Sequence, residues 1–441
     1  MTASYLPYDP HQMFLLPPAL QEWLPDGHLA HFIGDTVDTL DLGAFHARYA
    51  KGGPRNQPFH PAMMVKVLLY GYATGVFSSR KIARKLHEDV AFRVLAAGNF
   101  PAHRTIRDFR ALHLKELAEL FVQVVRLARE MGLVKLGTIA VDGTKVKANA
   151  SRHKAMSYER MVQTERELRA QIEALLARAR VADEAERDEP EMDIPAEIER
   201  REARLAAIVA ARERLQARQR EADLERGRTP DDENKPRGKN GRPKGGRYKR
   251  DFGIPKETAQ ENFTDPDSRI MKRAGGGFDA SYNAQTAVDD TAHIIVAAEL
   301  TNCASDAGEL PAMLEAVQTN LEALPQQALA DTGYKAEAVF ETLAECGCDV
   351  VVALGREGQA QLTIDPGRMP HTAAMAAKLQ TEAGRKAYAR RKWLAEPPNG
   401  WIKHVLGFRQ FSLRGLQQVR AEWKLVCLAL NLRRMATMRG H

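Results

Sequence analysis

Cysteine is scarce in this chain: Cys303, Cys346, Cys348 and Cys427 are the only four among 441 residues. So few thiols exclude a disulfide framework. Cys346 and Cys348 have ligand-like spacing, but no second pair or histidine cluster accompanies them. Spectator thiols in a reducing cytosol are therefore a better reading than zinc. Aromatic residues are also few, at 7%. No apolar run approaches the ~18 residues that span a bilayer, which excludes a membrane protein. The opening MTASYLPYDPHQMF has no basic start followed by an apolar stretch, which argues against secretion and for a cytoplasmic protein. What is present, 44% hydrophobic and 27% charged residues, excludes wholesale disorder and allows two to four domains with a real core.

The net charge is +7, from 64 Lys+Arg against 57 Asp+Glu. A basic balance favours polyanion partners, and its distribution says more. Residues 1–130 read as helical. Met64, Val65, Leu68, Leu69 and Tyr72 recur at helical spacing after Pro61, which suits a first turn. Ser78 and Ser79 are candidate caps for a helix carrying Ile82, Ala83 and Leu86. Thr105-x-x-Asp108 opens another, with Ile106, Phe109 and Leu112 inward and Arg104, Arg107 and Arg110 interleaved. Short helices ending in a basic one predict a helix-turn-helix-like, all-α DNA-binding domain; the bland alternative is a solvated basic face.

Residues 137–151 break that pattern. Ile139, Val141 and Val146 around Asp142-Gly143 predict a first core strand or tight hairpin. Residues 152–234 are Ala/Glu/Arg/Leu-rich, with Leu168, Ile172 and Leu175 on one stripe and Ile198, Leu205, Ile208 and Leu215 on another, predicting a charged helical hairpin. Residues 235–270 begin with KPRGKNGRPKGGRYKR, eight cations and no acid among glycines and prolines. This tract has little to bury and reads as a flexible linker whose cations, Lys244 and Arg247 among them, contact phosphate. Residues 271–441 return to α/β periodicity: a strand pair (281–288 and 293–300), a helix (306–321), a strand ending at Asp331, a helix, the buried strand 349–354, a helix over 381–394 and a long helix over 414–435.

Three acids then stand where an α/β sheet places chemistry: Asp142 at or near the end of the first strand, Asp331 at the end of a later one, and Glu396 just past a helix. Converging carboxylates form a hard oxygen cage suited to Mg²⁺ or Mn²⁺. Two such ions about 3.5–4 Å apart suit an in-line phosphoryl displacement. Taken singly, each acid has a bland reading: Asp142-Gly143 and Asp331-Thr-Gly are common turns, and Glu396 before Pro397-Pro398 suits a solvated helix end.

The segments AVDGTKVKAN (140–149), YNAQTAVD (282–289), ADTGYK (330–335), and EPPNGWIK (396–403) followed by GFRQFSLRG (407–415) resemble, in combination, the DDE (Asp-Asp-Glu) transposases of bacterial insertion sequences, in particular the group numbered eleven-eighty-two. The stretch 58–110 is similar to that family's helical DNA-binding module. The resemblance implies a ribonuclease-H-like mixed-sheet core, interrupted by the helical insertion and preceded by the N-terminal helices. It places Asp142, Asp331 and Glu396 as catalytic metal ligands for two Mg²⁺ or Mn²⁺ ions. It also implies Tyr388, an Arg, Glu396 and Lys403 as a signature. Arg391 has one residue too many before Glu396 and Lys392 has the family's spacing, so either cation fits the Arg role. Double-stranded DNA, a homodimer assembled on it, and a nucleoid-associated location in the cytoplasm complete the implied picture. The competing readings are a DNA-binding protein that has lost catalysis and, more remotely, an unrelated carboxylate hydrolase.

Overall fold

A computed structural model describes residues 19–49, 57–151, 154–184, 193–231, 235–236, 245–273, 275–355 and 364–439. Its strands are β1 (Thr138–Lys147), β2 (Ala155–Ser157), β3 (Gln260–Asn262), β4 (Arg269–Lys272), β5 (Phe278–Asp289), β6 (Ile295–Thr301), β7 (Gln327–Ala330) and β8 (Asp349–Val352). Six of them form one mixed sheet. β5 runs antiparallel to β1 on one edge, and to β4 and then β6 on the other. Across β1, β7 is parallel, and β8 is parallel to β7. The order is therefore β6-β5-β1-β7-β8, consistent with the expected ribonuclease-H-like core. β7 and β8 are short apolar runs (Ala328, Leu329, Ala330; Val350, Val351, Val352), buried on both faces as parallel interior strands must be. Asp142-Gly143 is not a turn: β1 passes straight through it, and Asp142 lies mid-strand.

The N-terminal helices include Leu29–Thr39, Pro61–Ala73, Ser79–Glu88, Val90–Leu95, His103–Leu112 and Leu114–Glu130. Pro61 occupies the first turn as expected. Ser78 stands at the next N-cap without a capping bond from its side chain. The basic helix starts at His103, two residues before Thr105, and Leu112 is exposed. These helices do not enclose a core of their own. The C-terminal helix Leu416–Arg439 buries Trp423, Val426, Leu428 and Leu432 against Pro61–Ala73, Leu114–Glu130 and β6, so one apolar core runs from the N-terminal helices to the sheet. Each such side chain contributes roughly 1.5–3 kcal/mol of burial free energy.

The insertion is an antiparallel pair, Tyr158–Glu184 and Ile194–Glu225, with a thin seam of Met161, Leu168, Ile208, Ala211 and Leu215. β2 and β3 pair at its base. The basic tract does not stay free of it at its C-terminal end. The Arg228 guanidinium lies 3.9 Å over the Tyr248 ring and donates to the Arg250 carbonyl, and Gly253 N–H donates to the buried Asp223 carboxylate. Arg247 is exposed, and Lys244 lies outside the described residues. The helix expected over 381–394 is instead two, Glu382–Ala389 and Arg391–Gly400, separated at Arg390, and a further helix, Pro370–Gln380, precedes them. Glu396 thus sits inside a helix, not past its end.

Candidate active site

β1 and β7 are parallel, with Ala140 opposite Leu329. Two residues further along both strands, Asp142 and Asp331 come side by side. Asp331 is the first residue after β7; its Oδ1 accepts the Gly333 N–H at 2.8 Å and caps the short turn Thr332–Tyr334. The helix Arg391–Gly400 packs on β1 and supplies the neighbours of Asp142. Asn399 Nδ2 donates to Asp142 Oδ2 at 3.0 Å, and Arg391 Nη1 lies 3.8 Å from Asp142 Oδ1. Arg391 is buried and faces Asp142, whereas Lys392 is exposed, so geometry selects Arg391 as the cation beside the acid. The Tyr388 ring is half-buried with the Arg391 guanidinium 6.0 Å above it.

Successive residues of a strand point to opposite faces. Asp142 and Thr144 face the helix. Lys403, in the π-turn segment Trp401–Val405 that continues this helix, donates to Thr144 Oγ1 and to the Lys145 carbonyl. Burial lowers the Lys403 pKa, partly opposed by the Asp142 charge. Burial pushes the Asp142 carboxyl up to about 6; Arg391 and the Asn399 hydrogen bond pull it down, while the Asp331 and Asp306 carboxylates push it further up. Three buried polar atoms around it, Arg391 Nε, Asn399 Oδ1 and Thr286 Oγ1 (on the residue opposite Asp142 in β5), have no hydrogen-bond partner among the described residues.

The structure therefore brings together Asp142, Asp331 and Arg391, with Lys403 alongside. It does not gather Glu396 with them. Glu396 is exposed one helical turn before Asn399, and among the described residues no group of three or more His, Cys, Asp or Glu side chains is placed to hold a metal. The paired carboxylates still suit a divalent cation, because their donors are hard oxygens and Asp142 is a desolvated acid with another acid beside it. Arg104 and Arg107 are exposed on the basic helix, Arg107 paired with Asp108. Arg110 is a correction: it is 6% exposed, and its Nη1 donates to Tyr72 Oη and the Phe77 carbonyl. It turns inward with Ile106 and Phe109, so its charge is spent inside the fold and not on DNA.

Residues missed from sequence include Asn399 and, on the far face of β1, Lys145, Asn283, Gln285 and Asp306. Asn283 and Gln285 share one face of β5 by their period-two spacing, and with Lys145 and Asn399 they lie in the segments that carry the family resemblance, whereas Asp306 lies outside them.

Residues 253–432 match the family described as Transposase DDE domain, and residues 18–112 match Transposase domain (DUF772). These domains define a DDE transposase, a mobile-element enzyme acting in transposition, and DNA is the substrate that this class implies. Asp331 and Glu396 fall within the second matched segment; Asp142, on the strand before the insertion, falls between the two. No curated protein and no solved structure matches the chain. No helix among the described residues is long and apolar enough to cross a membrane.

Proposed function

We propose that this transposase binds the terminal inverted repeats of a bacterial insertion sequence of the eleven-eighty-two group and catalyses strand cleavage and strand transfer. The observation that carries the reading is the pairing of Asp142, in the middle of β1, with Asp331 at the end of the parallel β7, with Arg391 on the helix covering them. Asp142 and Asp331 would hold divalent ions, Mg²⁺ or Mn²⁺, with Glu396 as the third acid. When bound, such ions activate an attacking oxygen and stabilise a leaving one. The protein's own part is positioning: Arg391 and Asn399 orient the Asp142 carboxylate, and Lys403 places a cation beside β1 to meet a DNA phosphate. Arg104 and Arg107 on the basic helix, with Arg247 and Lys244 of the tract, would hold DNA backbone, in a helix-turn-helix-like manner for the N-terminal pair. Two copies assembling on paired DNA ends fit a reaction that must join both.

The test is Mg²⁺-dependent nicking of DNA carrying the element's inverted repeats. Asp142→Asn, Asp331→Asn and Glu396→Gln should each abolish cleavage and leave end binding nearly intact. Near-wild-type cleavage by any one of them removes that residue from the trio. End binding by the wild type without nicking favours the inactive DNA-binding reading instead.

A further inference from the structure

The face of β1 opposite Asp142 carries an acid that the proposed chemistry leaves unused. Asp306 lies in the loop between β6 and the helix Glu309–Leu321. Its Oδ1 accepts from Asn283 Nδ2 at 2.6 Å, Gln285 Nε2 at 2.8 Å and Lys145 Nζ at 3.1 Å. Lys145 comes from β1, and Asn283 and Gln285 from β5. Gln285 Oε1 in turn accepts from the hydroxyl of Tyr334, which ends the turn that Asp331 caps. Asp306 also lies under both glycines that follow the paired acids. A Cβ at Gly143 would meet Asp306 Oδ1 at 2.5 Å and Gln285 Nε2 at 2.6 Å; one at Gly333 would meet Asp306 Oδ2 at 3.3 Å. Gly143 has an ordinary strand conformation, so close approach and not backbone strain explains glycine there.

Asp306 is thus tied to the strand carrying Asp142 through Lys145 and to the turn carrying Asp331 through Gln285 and Tyr334. We propose that Asp306 is a positioning residue that clamps Asp142 and Asp331 at a fixed separation from behind the sheet, setting the affinity of the pair for a divalent cation. It touches neither the reacting DNA nor the cation, since it stands on the other face of β1. The proposal rests on the metal-binding reading of Asp142 and Asp331.

The experiment is a Mn²⁺ titration of the full chain without DNA, read as metal-induced thermal stabilisation, for wild type, Asp142→Asn, Asp306→Ala, Asp306→Asn and Gly143→Ala. Wild type should be stabilised, and Asp142→Asn should not. Outer partners of metal ligands typically change affinity about 10- to 100-fold, so Asp306→Ala should raise the Mn²⁺ midpoint by that factor. Asp306→Asn should recover part of the loss, because its carbonyl oxygen still accepts from Asn283 and Gln285. Gly143→Ala should raise the midpoint with Asp306 intact, by forcing it away from the strand, and keeps the test open if Asp306→Ala fails to fold. A wild-type midpoint in both Asp306→Asn and Gly143→Ala, beside a response that Asp142→Asn removes, overturns the clamp alone. A wild type without response, or a response that survives Asp142→Asn, overturns the metal reading and the clamp with it.

Discussion

Asp142 carries a charge in a place that resists it. Its carboxyl is pushed from an ordinary value of 3.8 up to about 6, chiefly by burial. A raised acid pKa means that the folded chain holds the proton more tightly than the unfolded one. The stability contributed by this group is full below pH 3.8 and is lost as pH rises through about 6. Asp142→Asn imitates the protonated form, so without metal it should be more stable than wild type at pH 7.5, by up to about 3 kcal/mol, with the gain shrinking toward pH 4. Urea melts in chelator at the two pH values measure this. A variant less stable than wild type at pH 7.5 would show that the carboxylate is not strained. With Mn²⁺ present the order should reverse, because only the wild-type carboxylate gains a cation. Folding stability is here given up where the chemistry needs a concentrated negative charge.

The basic helix His103–Leu112 shows how one element divides its cations. Helical spacing puts Arg110 on the face of Ile106, and there its guanidinium joins a buried chain through Tyr72 to Glu422. Glu422 Oε2 accepts the Ser412 and Leu413 N–H groups at 3.0 Å, so the chain ends at the loop that borders β1 at Lys147. Arg110→Ala leaves the Phe77 carbonyl and the Tyr72 hydroxyl short of a donor and should cost roughly 3 kcal/mol in a denaturant melt. Arg104→Ala and Arg107→Ala should each stay within about 0.5 kcal/mol, yet weaken binding to repeat DNA. Equal stability losses at all three positions would contradict this division, and unchanged DNA affinity in the two exposed variants would leave only a solvated face.

At the scale of the molecule, the tract over 235–250, with eight cations and no acid, is a dense run of positive charge in the sequence. Neutralising four of its cations should lower the slope of log affinity against log salt by up to about 3.6 for duplex DNA, and less if some never reach phosphate. Preference for repeat over random DNA should barely change, since phosphate contacts position without specifying. Salt titrations on both DNAs decide it. Parallel slopes for wild type and variant would make the tract a spacer, and selective loss on repeat DNA would make it a reader of sequence. Because Arg228 stacks on Tyr248, the four are best taken from residues other than Tyr248's neighbours in that contact.

Period-two and helical periodicity were enough to read the longer strands and helices of the core, since each must bury one face whatever its partners are. They did not reveal the short β2, β3 and β4 or the helix Pro370–Gln380, and β3 lies inside the segment read as a flexible linker. The hairpin β5–β6, the strand ending at Asp331, the insertion and the long last helix all follow from that local rule. Turn chemistry was a weaker guide: Asp142-Gly143 reads as a turn locally, but β5 pairs with β1 on both sides of it and keeps the strand straight. Tertiary structure alone decided which charged side chains face one another. It chose Arg391 over Lys392, buried Arg110, set Asn399 against Asp142 with Glu396 exposed, and brought Asp306 behind Gly143. The pairings at Asp142 and Gly143 join residues more than a hundred apart in sequence, and even Arg110 finds its partners across two intervening helices, so no local period records which strand or helix will arrive beside which.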